Sequence, residues 1–146
     1  MIALGSDHAG LPLKLEIIEL LKERGIAYED FGTHTLESCD YPVYAKKAAQ
    51  AVADGRCRKG LVFCGTGIGV GITANKVHGV RCAICSDCYS AVLSRNHNDC
   101  NMLALGARVV GVDLARMIVS MWLDAGFEGG RHQRRVDLIM QAEGEG

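Results

Sequence analysis

Short apolar runs alternate with longer amphipathic stretches along almost the whole chain. A run of about four to eight apolar residues is typical of a buried strand, whereas apolar residues recurring at helical spacing are typical of a helix. The sequence therefore predicts five strands, at 1–5, 26–31, 61–64, 80–85 and 102–105. It also predicts six helices, from the turn of Pro12 to a stop at Gly25, at 42–53, from the loop at 65 to about 77, and at 87–95, 114–125 and 131–142.

The order of these elements indicates an α/β fold. Strands that are apolar on both faces and are separated by helices form parallel β-α-β units, with helices covering both sides of the sheet. No linker, internal repeat or low-complexity segment divides the sequence, so residues 1–146 are expected to form one domain. Ligands of open parallel sheets bind beyond the carboxyl ends of the strands, where the helices begin. The segments to examine for function are therefore 6–8, 64–69, 86–87 and whatever follows residue 105.

Composition narrows the class of protein. With 49% hydrophobic and 23% charged residues among 146, the chain is expected to fold around one core. The net charge of −1 creates no long-range field for nucleic acid or an anionic membrane. The longest uncharged stretch, 60–75, is shorter than the ~18–20 residues of a membrane span, and Asp7 and Lys14 interrupt any signal peptide. We therefore expect a cytoplasmic protein, in which an odd count of seven cysteines indicates reduced thiols.

The strongest local signal is the segment that begins at Cys64 and reads Cys-Gly-Thr-Gly-Ile-Gly-Val-Gly. Glycines at alternate positions between a strand and a helix expose backbone N–H groups, which can hold an anion or a developing oxyanion at the positive end of the helix. A cysteine at such a helix start is favoured in its thiolate form. The alternative explanation is a glycine turn that allows close packing of strand and helix around a buried structural cysteine.

The same loop also suggests a nucleotide site. The segment from Gly69 to Ala74 fits the looser G-x-G-x-x-A form of a dinucleotide fingerprint, and Asp87 lies about 18 residues on as a possible ribose ligand. However, these glycines begin five residues after the strand, and the chain leaves no room for a substrate domain. A nucleotide-binding module, which would bind NAD or AMP without turnover, stays open as an alternative.

An aspartate and two histidines lie where a ligand can bind. Asp7 and His8 follow the first strand directly, and His97 lies between a helix and the last strand. An imidazole changes charge near neutral pH, so it can serve as a general acid or base. Each position has a structural alternative, because an aspartate can cap the next helix and a charged imidazole is favoured near a helix C-terminus.

The last predicted helix begins with concentrated positive charge, in the run Arg131-His-Gln-Arg-Arg135. Positive charge at a helix start opposes the helix dipole at a cost of ~0.3–1 kcal/mol per residue, which suggests a compensating ligand. Arg131 and Arg135 share a helix face and could grip one phosphate, with Arg108 as a possible third contact. The alternative is a solvated basic surface balanced by Glu128 and Asp137.

Cys82, Cys85 and Cys88 resemble part of an iron–sulfur or zinc motif. Cys82 and Cys85 fall on the predicted fourth strand, where an offset of three residues places them on opposite faces of the sheet. No fourth ligand stands at Val92, and none of the five histidines lies two or four residues from another. We therefore expect no metal centre, and a thiol redox or metal sensor stays open as the alternative.

Six short motifs follow one another along the chain. They are Asp7-His8-Ala-Gly, Asp40-Tyr41-Pro42, Cys64-Gly-Thr-Gly-Ile-Gly, Ala74-Asn75-Lys76, Ser94-Arg95-Asn-His97-Asn98-Asp99 and Gly129-Gly-Arg131-His-Gln-Arg-Arg135. In combination, order and spacing they resemble the ribose-5-phosphate isomerase B family, which also includes isomerases of allose and galactose 6-phosphates. The resemblance covers the chain from Ile2 to about Ile139.

This resemblance implies a Rossmann-like three-layer α/β/α fold with a five-stranded parallel sheet. It implies a homodimer or a dimer of dimers whose active sites draw residues from both subunits. The implied activity is the interconversion of ribose 5-phosphate and ribulose 5-phosphate, in the non-oxidative branch of the pentose phosphate pathway, without a cofactor. One branch of the family uses a glutamate of the glycine loop as its base. Since no glutamate occurs between Cys64 and Gly71, the chain resembles the branch that uses cysteine.

The resemblance also implies a role for each matching residue. Cys64 would move a proton between C1 and C2 of the sugar, assisted by Thr66, and His97 would open the sugar ring. The other matches would bind substrate: loop amides for the enediolate (Gly65, Gly67, Ile68, Gly69), contacts to hydroxyls (Asp7, Asn98) and contacts to phosphate (His8, Arg108, Arg131, Arg135). Because backbone donors can stabilise an enediolate, this chemistry requires no metal.

Overall fold

The computed structural model describes residues 1–145, which form the predicted five strands and six helices in the predicted order. The strands are β1 (Ile2–Ser6), β2 (Tyr28–Asp30), β3 (Lys59–Cys64), β4 (Cys82–Ile84) and β5 (Met102–Gly106). The helices are α1 (Leu11–Glu23), α2 (Tyr41–Ala53), α3 (Ile68–Asn75), α4 (Cys88–Asn96), α5 (Val112–Asp124) and α6 (Arg131–Glu145). None of these described helices combines the length and the apolar character that a membrane span requires.

All five strands are parallel and form one sheet in the order β2-β1-β3-β5-β4. Successive strand residues pack on opposite sides of this sheet, because side chains alternate along a strand. On one side, Leu61 and Leu103 join a cluster with α1 and α5 that includes the fully buried Trp122. On the other side, Val62 packs with alanines of α2 and α3, among them Ala48. The predicted three-layer, Rossmann-like fold is confirmed.

Both edge strands are shorter than predicted. β2 and β4 have three residues each, against six in each predicted segment. The N–H of Ile26 donates to the carbonyl oxygen of Leu21 (2.9 Å), and the N–H of Val80 donates to that of Val77 (3.2 Å). These two apolar residues therefore belong to the turns that close the preceding helices. α3 likewise ends at Asn75, short of the predicted 77.

The strand order places a topological switch point between β1 and β3. From β1 the chain moves outward to β2, and it then crosses back over β1 to form β3. A crevice forms beyond the carboxyl ends of the strands at such a point. Asp7 follows β1 and donates its N–H to the carbonyl oxygen of Phe63 (3.3 Å), so it lies next to the end of β3 and to Cys64.

Candidate active site

The glycine loop holds Cys64 in the turn between β3 and α3. Cys64 is the last residue of β3 and is 5% exposed. The N–H of Gly67 donates a hydrogen bond to Cys64 Sγ at 3.2 Å. The sulfur therefore lies against a backbone N–H at the start of α3.

Glycine is required in this loop because the loop lies directly on the end of β5. Gly67 has a φ of +81°, in the left-handed region, and a Cβ there would lie 2.9 Å from the carbonyl carbon of Leu105. From the other side, a Cβ on Gly106 would lie 2.6 Å from the carbonyl carbon of Thr66. The packing explanation of the glycines is therefore correct for these positions, and the same packing sets the shape of the loop.

Part of the loop backbone remains available to a ligand. The N–H of Ile68 donates to Thr66 Oγ1 at 3.2 Å, and the N–H of Gly71 donates to the carbonyl oxygen of Gly67 at 3.1 Å. Among the described residues, the amides of Gly65 and Gly69 have no acceptor. Backbone N–H groups at the start of a helix are suited to stabilise an oxyanion.

A cavity of about 440 Å³ opens over Cys64. Its lining consists of Asp7, Tyr41, Cys64, Gly65, Thr66, Ile68, Gly69 and Ile72. Asp7 and Cys64 thus meet in one cavity, as their positions at strand ends predict. Asp7 Oδ1 also accepts the N–H of Gly10 at 2.8 Å, so the carboxylate fixes the turn before α1 as well. This bond lies in the turn and does not cap α1, whose N-cap is Gly10 without a side-chain cap, and the functional role of Asp7 stays a prediction.

Tyr41 is a wall of this cavity to which sequence reasoning gave no role. A Cβ on Gly69 would lie 2.4 Å from Tyr41 Cε1, so the ring packs directly against the glycine loop. Tyr41 begins α2 and is 39% exposed. The signal was available, because the helices of a parallel fold begin at the edge where ligands bind.

A second cavity, of about 400 Å³, brings together His8 and Arg108. A Cβ on Gly65 would lie 3.6 Å from Arg108 Nη1, so the guanidinium reaches the glycine loop. The other lining residues are Ala9, Pro12, Leu13, Glu16, Ala107, Val110 and Val112. A guanidinium and an imidazole next to the start of α1 form a suitable site for a phosphate.

The remaining predicted residues lie near the amino ends of the strands, opposite to the carboxyl ends where Cys64 lies; these two ends are called the amino edge and the carboxyl edge of the sheet. α4 runs back from the end of β4, so His97 and Asn98, which follow it, lie near the start of β5. Cys64 pairs with Gly106, which is the last residue of β5. His97, in contrast, lies before Met102, which is the first residue of β5. The five residues of β5 span about 13 Å. One chain therefore does not bring His97 to Cys64.

His97 packs against a second histidine that sequence reasoning did not indicate. The rings of His97 and His132 are stacked, with centroids 4.1 Å apart and 10° between their planes. Their Nε2 atoms lie 3.7 and 3.6 Å from the same oxygen of Glu128. Desolvation lowers the pKa of His132, and the neighbouring His97 lowers it further, which favours the neutral form of the ring.

These three side chains place possible metal-ligand atoms within 4.8 Å of one another. Spacing along the chain does not reveal them, because His97 and His132 belong to different elements. An ion held by an imidazole lies close to the ring plane, along the nitrogen lone pair. Stacked parallel rings direct their lone pairs into separate planes, so this arrangement does not offer both nitrogens to one ion. The absence of a metal centre stays a prediction.

Arg131 and Arg135 stand on the first two turns of α6, beside this stack. Both are exposed, and neither forms an ion pair within residues 1–145. Asp137 accepts a hydrogen bond from Gln133 Nε2 at 2.8 Å, and Glu128 faces the two histidines. Neither Glu128 nor Asp137 pairs with these two arginines, so both guanidinium groups face solvent, and their role as phosphate contacts stays a prediction.

The cysteine motif does not form a site. Cys82 packs in the core on one side of the sheet and Cys85 on the other, as predicted. Burial raises the pKa of Cys85 and that of Cys100 to about 11, and it also raises that of Cys82. Thiols that stay protonated at neutral pH are poor metal ligands and poor nucleophiles. This arrangement disfavours a thiol or metal sensor.

The dinucleotide alternative is disfavoured by the placement of its glycines. α3 begins at Ile68, so Gly69 and Gly71 lie within the helix rather than in the turn before it. Gly71 is buried, and a Cβ there would lie 2.4 Å from Ile84 Cγ1. The backbone that would approach a pyrophosphate at this point is covered by a side chain.

Known proteins share this fold and much of this sequence. Residues 2–139 match the family described as Ribose/Galactose Isomerase. Ribose-5-phosphate isomerase B of Escherichia coli K12 is 54% identical over 142 residues, which are 97% of this chain and 95% of the relative. The structure of Clostridium thermocellum ribose-5-phosphate isomerase B superposes with a TM-score of 0.97 at 55% identity, over 99% of this chain and 97% of that one.

A solved relative has been described with a ligand. Ribose-5-phosphate isomerase B of Mycoplasma genitalium, with bound ribulose-5-phosphate, superposes with a TM-score of 0.95 at 41% identity, over 99% of this chain and 97% of that one. These matches extend over the strands, the glycine loop and the motifs at both the carboxyl and the amino ends of the strands. The chain therefore belongs to the Ribose/Galactose Isomerase family.

Proposed function

We propose that this protein is an aldose–ketose isomerase that interconverts ribose 5-phosphate and ribulose 5-phosphate through an enediolate. The observation that carries the proposal is the cavity in which Cys64 and Asp7 lie beside the glycine loop. Support comes from relatives named ribose-5-phosphate isomerase B, one of which is described with bound ribulose-5-phosphate. Isomerisation of allose 6-phosphate or galactose 6-phosphate is the alternative within the same family.

Cys64 is the base in this mechanism. Its thiolate removes the proton from C2 of the open-chain aldose, and the charge moves through the new C1–C2 double bond onto O1. The amides of Gly65 and Gly69, which have no acceptor among the described residues, donate to that oxygen, with Thr66 beside them. The thiol then returns the proton to C1 while a proton passes from O2 to O1, which completes the ketose.

The phosphate anchors the substrate at a distance from the reacting carbons. His8 and Arg108 line the second cavity, and Arg108 reaches the glycine loop, so a phosphate held there places the sugar over Cys64. Arg131 and Arg135 supply two further guanidinium groups. Binding at a group that does not react positions C1 and C2, and it stabilises ground state and transition state alike.

A second copy of the chain completes the site. His97, Asn98 and the arginines of α6 lie near the opposite edge of the sheet from Cys64 in their own chain, so they act on a substrate bound to a partner. Ile68 and Ile72, at the rim of the Cys64 cavity, are each 52% exposed, and burial of such apolar residues favours association. In the resulting homodimer, or dimer of dimers, His97 opens the sugar ring and Asn98 binds a hydroxyl.

An isomerase assay on the purified protein tests this proposal. We expect ribulose 5-phosphate to form from ribose 5-phosphate at a higher kcat/KM than that measured with allose 6-phosphate. Cys64→Ala should abolish turnover with substrate affinity nearly unchanged, because proton transfer occurs in the transition state alone. Cys57→Ala, at a buried thiol away from the cavity, is the matched control. An active Cys64→Ala protein would refute the base, and a preference for allose 6-phosphate would favour the six-carbon alternative.

A further inference from the structure

His8 is held by a loop that the proposed mechanism does not use. The backbone N–H of Cys39 donates a hydrogen bond to Nδ1 of His8 at 3.2 Å, and Cys39 Sγ lies 3.9 Å from the same nitrogen. Cys39 lies 31 residues further along the chain, near the end of the connection between β2 and α2. The backbone N–H of Cys39 can only donate, whereas its thiol can donate to the ring nitrogen or accept from it, so the amide alone fixes the direction of the hydrogen bond.

The direction of this hydrogen bond selects one tautomer of His8. A ring nitrogen that accepts a hydrogen bond carries no proton, so the proton of the neutral ring lies on Nε2. Nε2–H is then the remaining donor of a ring that lines the cavity together with Arg108. In the other tautomer, two N–H donors would oppose each other at Nδ1, and Nε2 would present a lone pair to the negative charge of a phosphate.

The start of this connection is anchored by a buried lysine. Lys14 of α1 is fully buried, and its Nζ donates to the carbonyl oxygen of Thr33 at 2.6 Å and to Asp30 Oδ1 at 2.7 Å. Two backbone hydrogen bonds join the same segment to β1, from Ser6 N–H to Gly32 O (2.7 Å) and from Thr33 N–H to Ser6 O (2.8 Å). Removing one partner from a buried charge is costly, so these contacts fix the start of the connection, at residues 30–33.

We propose that the connection between β2 and α2 positions the phosphate-binding histidine: through its Cys39 amide, it holds His8 as the Nε2–H tautomer, oriented to donate to the substrate phosphate. This inference rests on the proposed function, which assigns the phosphate to the cavity of His8 and Arg108. Because the phosphate takes no part in bond making, the connection is expected to govern substrate affinity and to leave proton transfer unchanged.

Nitrogen NMR of the histidine rings tests the tautomer without any substrate. The protein is examined above neutral pH, where the rings are neutral, and His8→Gln identifies the resonances that belong to His8. The expected result is a protonated Nε2 and an unprotonated Nδ1. A His8 ring protonated at Nδ1 would overturn the inference, whatever the enzyme does with its substrate.

Kinetics test the consequence with a matched pair of substitutions. Cys39→Pro removes the backbone N–H, whereas Cys39→Ala keeps it. We expect Cys39→Pro to raise KM for ribose 5-phosphate by about tenfold with kcat within about twofold, and Cys39→Ala to behave as the wild type. Equal effects of the two substitutions, or a fall in kcat with KM unchanged, would overturn the inference.

His8→Gln separates a failure of this inference from a failure of the proposed function. If His8→Gln leaves KM unchanged, the phosphate site itself is wrongly placed, and the inference falls with it. If His8→Gln raises KM and Cys39→Pro does not, the phosphate site stands and the positioning role of the connection is refuted. Should Cys39→Pro fail to fold, the tautomer of the unaltered protein still decides the inference.

Discussion

If Cys64 and His97 serve one site but come from different chains, two inactive variants should restore each other. Within a chain the length of β5, about 13 Å, separates the ends at which these residues lie. In Cys64→Ala every site lacks the base, and in His97→Ala every site lacks the ring-opening group. A mixed dimer has one site with both residues and one site with neither. Random pairing of equal amounts makes about half of the dimers mixed, so the mixture should show about a quarter of the wild-type rate.

The assay uses co-expression of the two variants with different tags, tandem purification of the mixed dimer, and initial rates of ribulose 5-phosphate formation. The purified mixed dimer has one intact site of two, so it should reach about half of the wild-type kcat with an unchanged KM. The control is a mixed dimer of variants at two residues that both lie at the carboxyl ends of the strands. Cys64→Ala paired with Asp7→Ala should show no rescue, with a rate no higher than that of the Asp7→Ala parent, because both residues line one cavity of one chain and each site of that dimer lacks one of them.

Inactivity of the first mixed dimer, in a sample whose composition mass spectrometry has verified, would refute the shared site. Rescue by the Asp7 pair as well would contradict the placement of Asp7 and Cys64 in one half-site. If the Cys64→Ala and His97→Ala proteins are each active on their own, the roles assigned to Cys64 and His97 are refuted without any mixing experiment.

The other predictions concern the phosphate contacts, ring opening and the buried thiols. The KM should rise by an amount equivalent to ~1.5–3 kcal/mol in each of Arg131→Ala and Arg135→Ala. Arg134→Ala changes a residue on a neighbouring helix face, so it should raise KM by much less. Equal KM values for the three variants would indicate a general basic surface. His97→Ala should reduce the initial rate with ribose 5-phosphate by ~10²–10⁴-fold, because this sugar is mostly a closed ring. With ribulose 5-phosphate, which cannot close a five-membered ring, the reduction should be clearly smaller. Equal losses of initial rate with the two substrates would contradict a ring-opening role. Raising the pH from 9.0 to about 11 should destabilise the protein. The thiol of Cys100 has a pKa of about 11 in the folded protein and near 9.0 in the unfolded chain. The unfolded chain therefore binds fewer protons in this pH window, which favours unfolding. The free energy of unfolding should fall by about 2–3 kcal/mol from this thiol, and denaturant titrations of Cys100→Ala that show the same pH slope would contradict it.

The sheet could be predicted because burial on both faces affects every residue of a central strand. Leu61 to Cys64 form one uninterrupted apolar run, and each residue of that run is buried. Apolar character alone does not tell a strand from a turn beside it, which is why the edge strands are over-predicted. Ile26 is partly buried and Val80 is buried, but the N–H of Ile26 bonds to α1 and the N–H of Val80 bonds to the turn that follows α3.

The carboxyl-edge residues of the candidate site could be predicted for a related reason. Asp7 and Cys64 directly follow or end their strands, and a parallel sheet brings all such positions to one edge. The stack of His97 and His132 could not be predicted, because it joins elements 35 residues apart whose packing angle no local pattern encodes. The contact from Cys39 to His8 is harder still, since its donor is a backbone N–H that every residue except proline carries.

The direction of the helices explains why such a site would need two chains. A helix that follows a strand in a parallel sheet begins at the carboxyl edge, so its positive end lies there and favours a thiolate, an enediolate and a phosphate. The same helix ends at the amino edge, where its negative end favours positive charge, and His97 lies there at the C-cap of α4. Isomerisation of a closed sugar phosphate requires both environments within a few ångströms of one small molecule. Since the length of a strand separates them in each chain, the proposed mechanism requires the carboxyl edge of one copy to face the amino edge of another.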